Sequence, residues 1–311
     1  MDLARLTDAV TAGPARRRRR MRRTLARLDR IDEARILPVG PPPGSAPGAA
    51  RRAPRWRRRR AVVPSPVFVA FAAAAAGGGA LAWRSDFNST VGRLGVFVMV
   101  VAGWVVSLSL HEFAHAYTAY RAGDRAAADA GYLTLNPFRY THPVLSLVLP
   151  LLAVVQGGIG LPGGAVQLNH GRFASRAWRS AVSAAGPATN VVVAGAVLWL
   201  VRAQHDPGAH PVFWAGLAFF AFLQVSVAVL NLLPVPGLDG WSVWEPYVRP
   251  DTAARAERMK PYGLLAVFMV LAWIRPVNTA FFDVVDRITT AAGVHPAVWQ
   301  MGEYLFRFWQ R

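Results

Sequence analysis

Between residues 66 and 285 the chain is a succession of long apolar stretches. They are Pro66–Trp83, Leu94–Ala119, Ala181–Val201, Phe213–Leu233 and Tyr262–Ile274, the last resuming after Arg275–Pro276 as far as Val285. A bilayer crossing takes about 20 apolar residues, and blocks of that length, unlike amphipathic spacing, do not suit a water-soluble globule. The expected fold class is an all-α polytopic membrane protein with about five to six transmembrane helices. A further stretch, Val144–Val155, is bounded by prolines and glycines and is short for a crossing, so it reads as a re-entrant segment.

The polar parts divide the chain into three regions. Residues 1–62 hold "ARRRRRMRR" and "PVGPPPGSAPGAARRAPRWRRRR", and residues 1–60 carry 18 arginines against five acids. Such a segment has too little apolar surface to offset the entropy of ordering, and its like charges repel, so a disordered basic tail is expected. A cytoplasmic tail that touches anionic lipid is favoured over a nucleic-acid-binding arm. A signal peptide is not expected, because the first apolar run begins after sixty residues. Residues 63–285 form the membrane domain. Residues 286–311 end in "HPAVWQMGEYLFRFWQR", whose aromatics and arginines suit an amphipathic segment at the interface.

Charge also sets topology. The basic tail holds the N-terminus in the cytoplasm, so the second span returns to that side. With Val144–Val155 re-entrant, Arg172, Arg176 and Arg179 stay inside, and "LLPVPGLDGW" at 232–241 arrives on the same side. Between them, "GYLTLNP" and "GGAVQLNHGRF" show short alternation bounded by glycine, asparagine or proline, and are expected to pair as a small membrane-associated β-hairpin. Only Lys260 among 35 basic residues is a lysine. That arginine bias, with abundant alanine, suggests a GC-rich bacterial genome and hence a multi-pass protein of the cell (plasma) membrane.

The second span ends in "SLSLHEFAHAYTAY". His111 and His115 are four residues apart and share one face of a helix. Two such imidazoles can chelate zinc, and Glu112, one step round, can reach a water held there as general base. Chance would place this pattern roughly 0.0025 times in a chain of this composition. Ionisable groups within an apolar span are functional by default, which favours a metal site over a pair of core histidines.

Catalytic zinc takes three protein ligands and keeps one position open. The chain has no cysteine, so the third ligand is a His, Asp or Glu. The acids in or beside the spans are Glu112, Asp239, Asp283 and Asp286. Asp239 lies in "NLLPVPGLDG", where two prolines and two glycines break the end of a span. Its residues alone leave a ligand and an Asx-turn aspartate evenly matched.

"SLHEFAHAYTAYRAGD", "GYLTLNP" with Pro143, "LVLPLL", "AGPATN" at 185–190 and "NLLPVPGLDG" together resemble the site-2 protease family of intramembrane zinc metalloproteases, in its compact bacterial branch. The match runs from about residue 94 to 275. It implies His111, His115 and Asp239 as ligands of one Zn2+ per chain and Glu112 as the catalytic base. The chain departs from the family pattern at "YTHP" (140–143), where relatives usually read His-Ile-Asp-Pro, and in "GGAVQLN", where they usually read Gly-Trp-Ala-Lys-Pro-Val, in a region thought to flank the peptide being cut.

Two asparagines complete the candidate site. Asn190, in an apolar span, can donate to a developing oxyanion or substrate, or can stitch helices together. Asn136 can bind substrate backbone or hold a loop. The expected activity is endoproteolysis in or next to transmembrane helices of a single-span membrane-protein substrate within the lipid bilayer. A non-catalytic scaffold or metal-transport protein is the alternative, and nucleic acid is disfavoured as a partner. Against metal binding alone, the glutamate between the histidines would be superfluous.

Overall fold

The computed structural model describes residues 63–139, 175–204 and 208–310. The basic tail, Val144–Val155, "GGAVQLNHGRF" and the "YTHP" departure lie outside the described residues. Every regular element within them is helical.

Helix α1 (Pro66–Trp83) begins where Ser65 Oγ accepts from the Phe68 amide at 3.1 Å, with Pro66 at the first helical position. Proline suits that position, since its missing N–H would have no helical partner. Helix α2 (Thr90–Arg121) is capped likewise by Ser89 and runs for 32 residues. At 1.5 Å per residue that is about 48 Å, more than a hydrocarbon core of about 30 Å requires. The surplus carries the His-Glu-His motif to one end of the span.

Small residues bring α1 and α2 together. A Cβ on Gly78 would lie 2.7 Å from the Gly95 carbonyl oxygen, and one on Gly95 would lie 2.8 Å from the Ala82 nitrogen. Without a hydrophobic drive between helices in lipid, such backbone approach supplies the packing.

Helices α4 (Arg176–Arg202) and α5 (Pro211–Leu232) follow the short helix α3 (Ala126–Asp129) and the undescribed segment. α5 is the central element: 78% of its apolar window is buried, against 17% for α1. It is apolar all round, as a helix packed on every side must be. Helix α6 (Asp239–Trp244) leads to α7 (Pro250–Trp273) and α8 (Arg275–Ala291), which meet at an angle of 98°. Pro276 explains the break, because proline forbids the residue before it from continuing a helix easily. Among the described residues, four helices are long and apolar enough to cross a membrane, or five if α7 and α8 form one broken span.

Helix α9 (Pro296–Phe306) folds back onto α5. A Cβ on Gly302 would collide with the Ala215 carbonyl, Leu305 and Phe306 are fully buried, and Trp299 stacks on Phe222 with centroids 3.9 Å apart.

The strand expected at "GYLTLNP" is instead a pair of 3-10 turns, Tyr132–Thr134 and Pro137–Arg139. Left-handed residues, Gly131 (φ 78°) and Leu135 (φ 56°), bound the first turn. The consecutive Tyr132 and Leu133 are both buried, packed with Ala116 and Ala127, whereas a strand would send them to opposite faces.

Candidate metal centre

Three separate elements meet at the C-terminal half of α2. The helix presents His111, Glu112 and His115, which are buried, with 5%, 2% and 6% of their surfaces exposed. α4 lies across them. The Nδ1–H of His111 donates to Asn190 Oδ1 at 2.8 Å, and the Nδ1–H of His115 donates to the Val182 carbonyl at 2.7 Å. Outer partners of this kind fix the ring orientation and the tautomer, leaving Nε2 with its lone pair outward.

α4 can approach so closely because residue 186 is glycine. A Cβ there would collide with His115 Nε2 and lie 2.6 Å from His111 Nε2. Pro187, next in line, has no N–H for the Ser183 carbonyl and so loosens the turn in which the Val182 carbonyl is offered.

The third element is the loop from α5 into α6. Gly237 has φ 99°, a left-handed value that favours glycine, and a Cβ on it would lie 2.5 Å from the Lys260 carbonyl oxygen. Gly263 of α7 lies so close to the Pro236 carbonyl that a Cβ would overlap it. Ser180 of α4 donates to the Val243 carbonyl at 2.7 Å. Lys260 bridges Glu245 at 3.1 Å and Glu257 at 2.6 Å. These contacts seat α6 and aim the Asp239 carboxylate at the imidazoles.

The result is a triangle. Asp239 Oδ2 lies 3.1 Å from His111 Nε2 and 3.4 Å from His115 Nε2, and the two nitrogens are 3.1 Å apart. A tetrahedral site with arms of about 2.05 Å has edges of about 3.3 Å, so the three atoms suit three corners around one zinc ion. With both protons held on Nδ1, three sets of lone pairs face one another, an arrangement that a cation relieves. Among the described residues, this is the one cluster of His, Asp or Glu side chains close enough to hold a metal.

Of the other candidate residues, Asp286 and Asn136 fall elsewhere, whereas Asn190 lies against the site. Asp286 accepts from the Trp299 indole at 3.1 Å, as a link between α8 and α9. Asn136 Oδ1 accepts from the Phe138 amide at 3.0 Å and so caps a turn. Asn190 is 4% exposed, with its oxygen turned to His111. The Val182 carbonyl escaped sequence reasoning because a main-chain group leaves no mark in a sequence. The steric need at Gly186 was signalled only by the quoted "AGPATN".

Over 253 residues, 81% of this chain and 96% of the relative, the chain is 49% identical to a Mycolicibacterium smegmatis protein named "Putative zinc metalloprotease Rip2". A Mycobacterium tuberculosis protein of the same name is 48% identical over 254 residues, again 81% and 96% of the two chains. The chain belongs to the site-2 protease family. A more distant relative, the Bacillus subtilis protein named "Putative zinc metalloprotease YwhC", is 34% identical over 193 residues, 60% of this chain and 84% of that one. No family model matches the chain, and no solved structure matches it at the threshold these relatives pass. As a site-2 protease family member it is a zinc metalloprotease, its cofactor is Zn2+, and the His111, His115 and Asp239 group is positioned to bind it.

Proposed function

We propose that the protein is an intramembrane endopeptidase that hydrolyses peptide bonds within or next to transmembrane helices of single-span membrane proteins, as a step of regulated proteolysis. The observation that carries this reading is the ligand triangle at the end of a 32-residue apolar helix, with the buried Glu112 beside its first histidine.

Zinc held in such a three-ligand site acidifies water and polarises a carbonyl. The chain's own residues do the rest. His111, His115 and Asp239 would hold the ion through their two imidazole Nε2 atoms and a carboxylate oxygen. Glu112 takes the proton from the attacking water and returns it to the departing amine, so one carboxyl serves as base and then as acid. Asn190 and Val182 keep the imidazoles in the tautomer that binding requires. A role for Asn190 toward substrate would fall to its amide nitrogen.

Charge supports the placement: the basic residues 1–62 suit a cytoplasmic tail against anionic lipid of a bacterial plasma membrane, with the centre toward that side. The three-region division at residues 62 and 285 belongs to this reading, although α8 runs on through the second boundary. The metal-transport alternative predicts no proteolysis and no need of Glu112. The deciding experiment incubates the purified protein in lipid with a single-span substrate, beside the Glu112→Gln variant. Cleavage by the wild type and not by the variant supports the proposal.

A further inference from the structure

Below the metal centre α2 and α5 run parallel, in steady register. Val96 and Met99 face Gly216, Gly103 faces Phe220, and Ser107 bonds Gln224. On α2, Trp104, Ser107, His111 and His115 follow one another at spacings of three or four residues and so share one stripe of the helix. All four are buried.

Ser107 Oγ–H donates to Gln224 Oε1 at 2.6 Å, deep between the helices. Gln224 is 0% exposed, and its Nε2 has no partner among the described residues. The same holds for Trp104 Nε1, one turn before Ser107 and 3% exposed. Exchanging the oxygen and nitrogen of the carboxamide does not remove the deficit, since Oε1 would then be the unpaired end. A buried donor without a partner is costly, so Gln224 Nε2 on α5 and Trp104 Nε1 on the α2 stripe that carries its bonding partner Ser107 call for a ligand.

We propose that Gln224, Ser107 and Trp104 form a binding site for a single internal water molecule, one helical turn, or about 6 Å, beneath His111. Gln224 Nε2 and Trp104 Nε1 donate to its oxygen. Ser107 Oγ, its own hydrogen committed to Gln224, accepts one in return. Three partners are what a buried water usually finds. Val100, Phe219 and Leu223, all fully buried in the same apolar cluster as Trp104, leave no way in for a peptide or lipid chain. The site keeps a molecule of the co-substrate of hydrolysis within a turn of the metal ligands, in a span whose walls are otherwise apolar. It does not rest on the choice of protein substrate or on Glu112.

The test is radiolytic hydroxyl-radical footprinting of the full-length protein in lipid nanodiscs, read by mass spectrometry. Radicals formed from a bound water label the side chain beside it even where bulk solvent does not reach. Trp104 should be oxidised despite its burial, to a degree approaching that of the exposed Trp273. Gln224→Leu should cut Trp104 labelling several-fold, with Trp273 labelling and zinc content unchanged. Ser107→Ala, a smaller change, should lower it in the same direction. Absence of Trp104 oxidation in the wild type, or equal oxidation in a folded Ser107→Ala or Gln224→Leu protein, would overturn the proposal.

Discussion

Gly186 of α4 and His111 of α2 are in such close apposition that a Cβ on the glycine would lie 2.6 Å from the imidazole Nε2. The space that a metal and its open position require exists because residue 186 has no side chain. Gly186→Ala is therefore expected to displace at least one imidazole and to abolish stoichiometric zinc binding, while the helix gains propensity from alanine. Zinc content of the purified variant, with circular dichroism to confirm the fold, checks this. Full zinc content would mean that α4 can withdraw at no cost.

Asn190 holds His111 through its oxygen, so its removal should act on metal affinity. Asn190→Ala is expected to weaken zinc binding about 10- to 100-fold, the usual effect of losing such an outer partner. Asn190→Asp, which keeps an acceptor in place, should restore most of it. Competition with a chelator of known affinity measures both. If both variants lose proteolysis but retain wild-type zinc affinity, the amide nitrogen acts on substrate and not the oxygen on His111.

Asp239 depends on contacts remote from the histidines. Gly263→Ala would drive a methyl into the Pro236 carbonyl, and overpacking of this kind costs about 1–3 kcal/mol. Gly237→Ala adds the strain of a positive φ for a residue with a side chain. Both should raise the zinc dissociation rate and shift thermal unfolding downward, although neither residue is a ligand. Dissociation followed with a chromogenic chelator would expose a variant that behaves as wild type.

The helical part of this architecture is legible in the sequence because lipid imposes a simple requirement, about 20 apolar residues per crossing, and the chain meets it in blocks. His111 and His115 are legible for a similar reason, since helical spacing alone puts them on one face. Asp239 is different. Spacing leaves it balanced between ligand and turn, and its seat depends on Gly237, Gly263 and Ser180, which come together only through tertiary packing. "GYLTLNP" misleads because its alternation is too short to separate a strand from two turns. Leu135 at φ 56° and the adjacent burial of Tyr132 and Leu133 decide the matter, and neither is written in residue type.

In the proposed mechanism Glu112 moves protons at a zinc ion held by His111, His115 and Asp239. Zinc content and substrate cleavage, measured together on wild-type protein and Glu112→Gln, put this to the test. About one zinc per chain is expected in both, as a three-ligand site requires. Cleavage is expected to fall by about 100- to 10,000-fold in the variant, the range for loss of a general base. Cleavage by a zinc-loaded glutamine variant at the wild-type rate would contradict it.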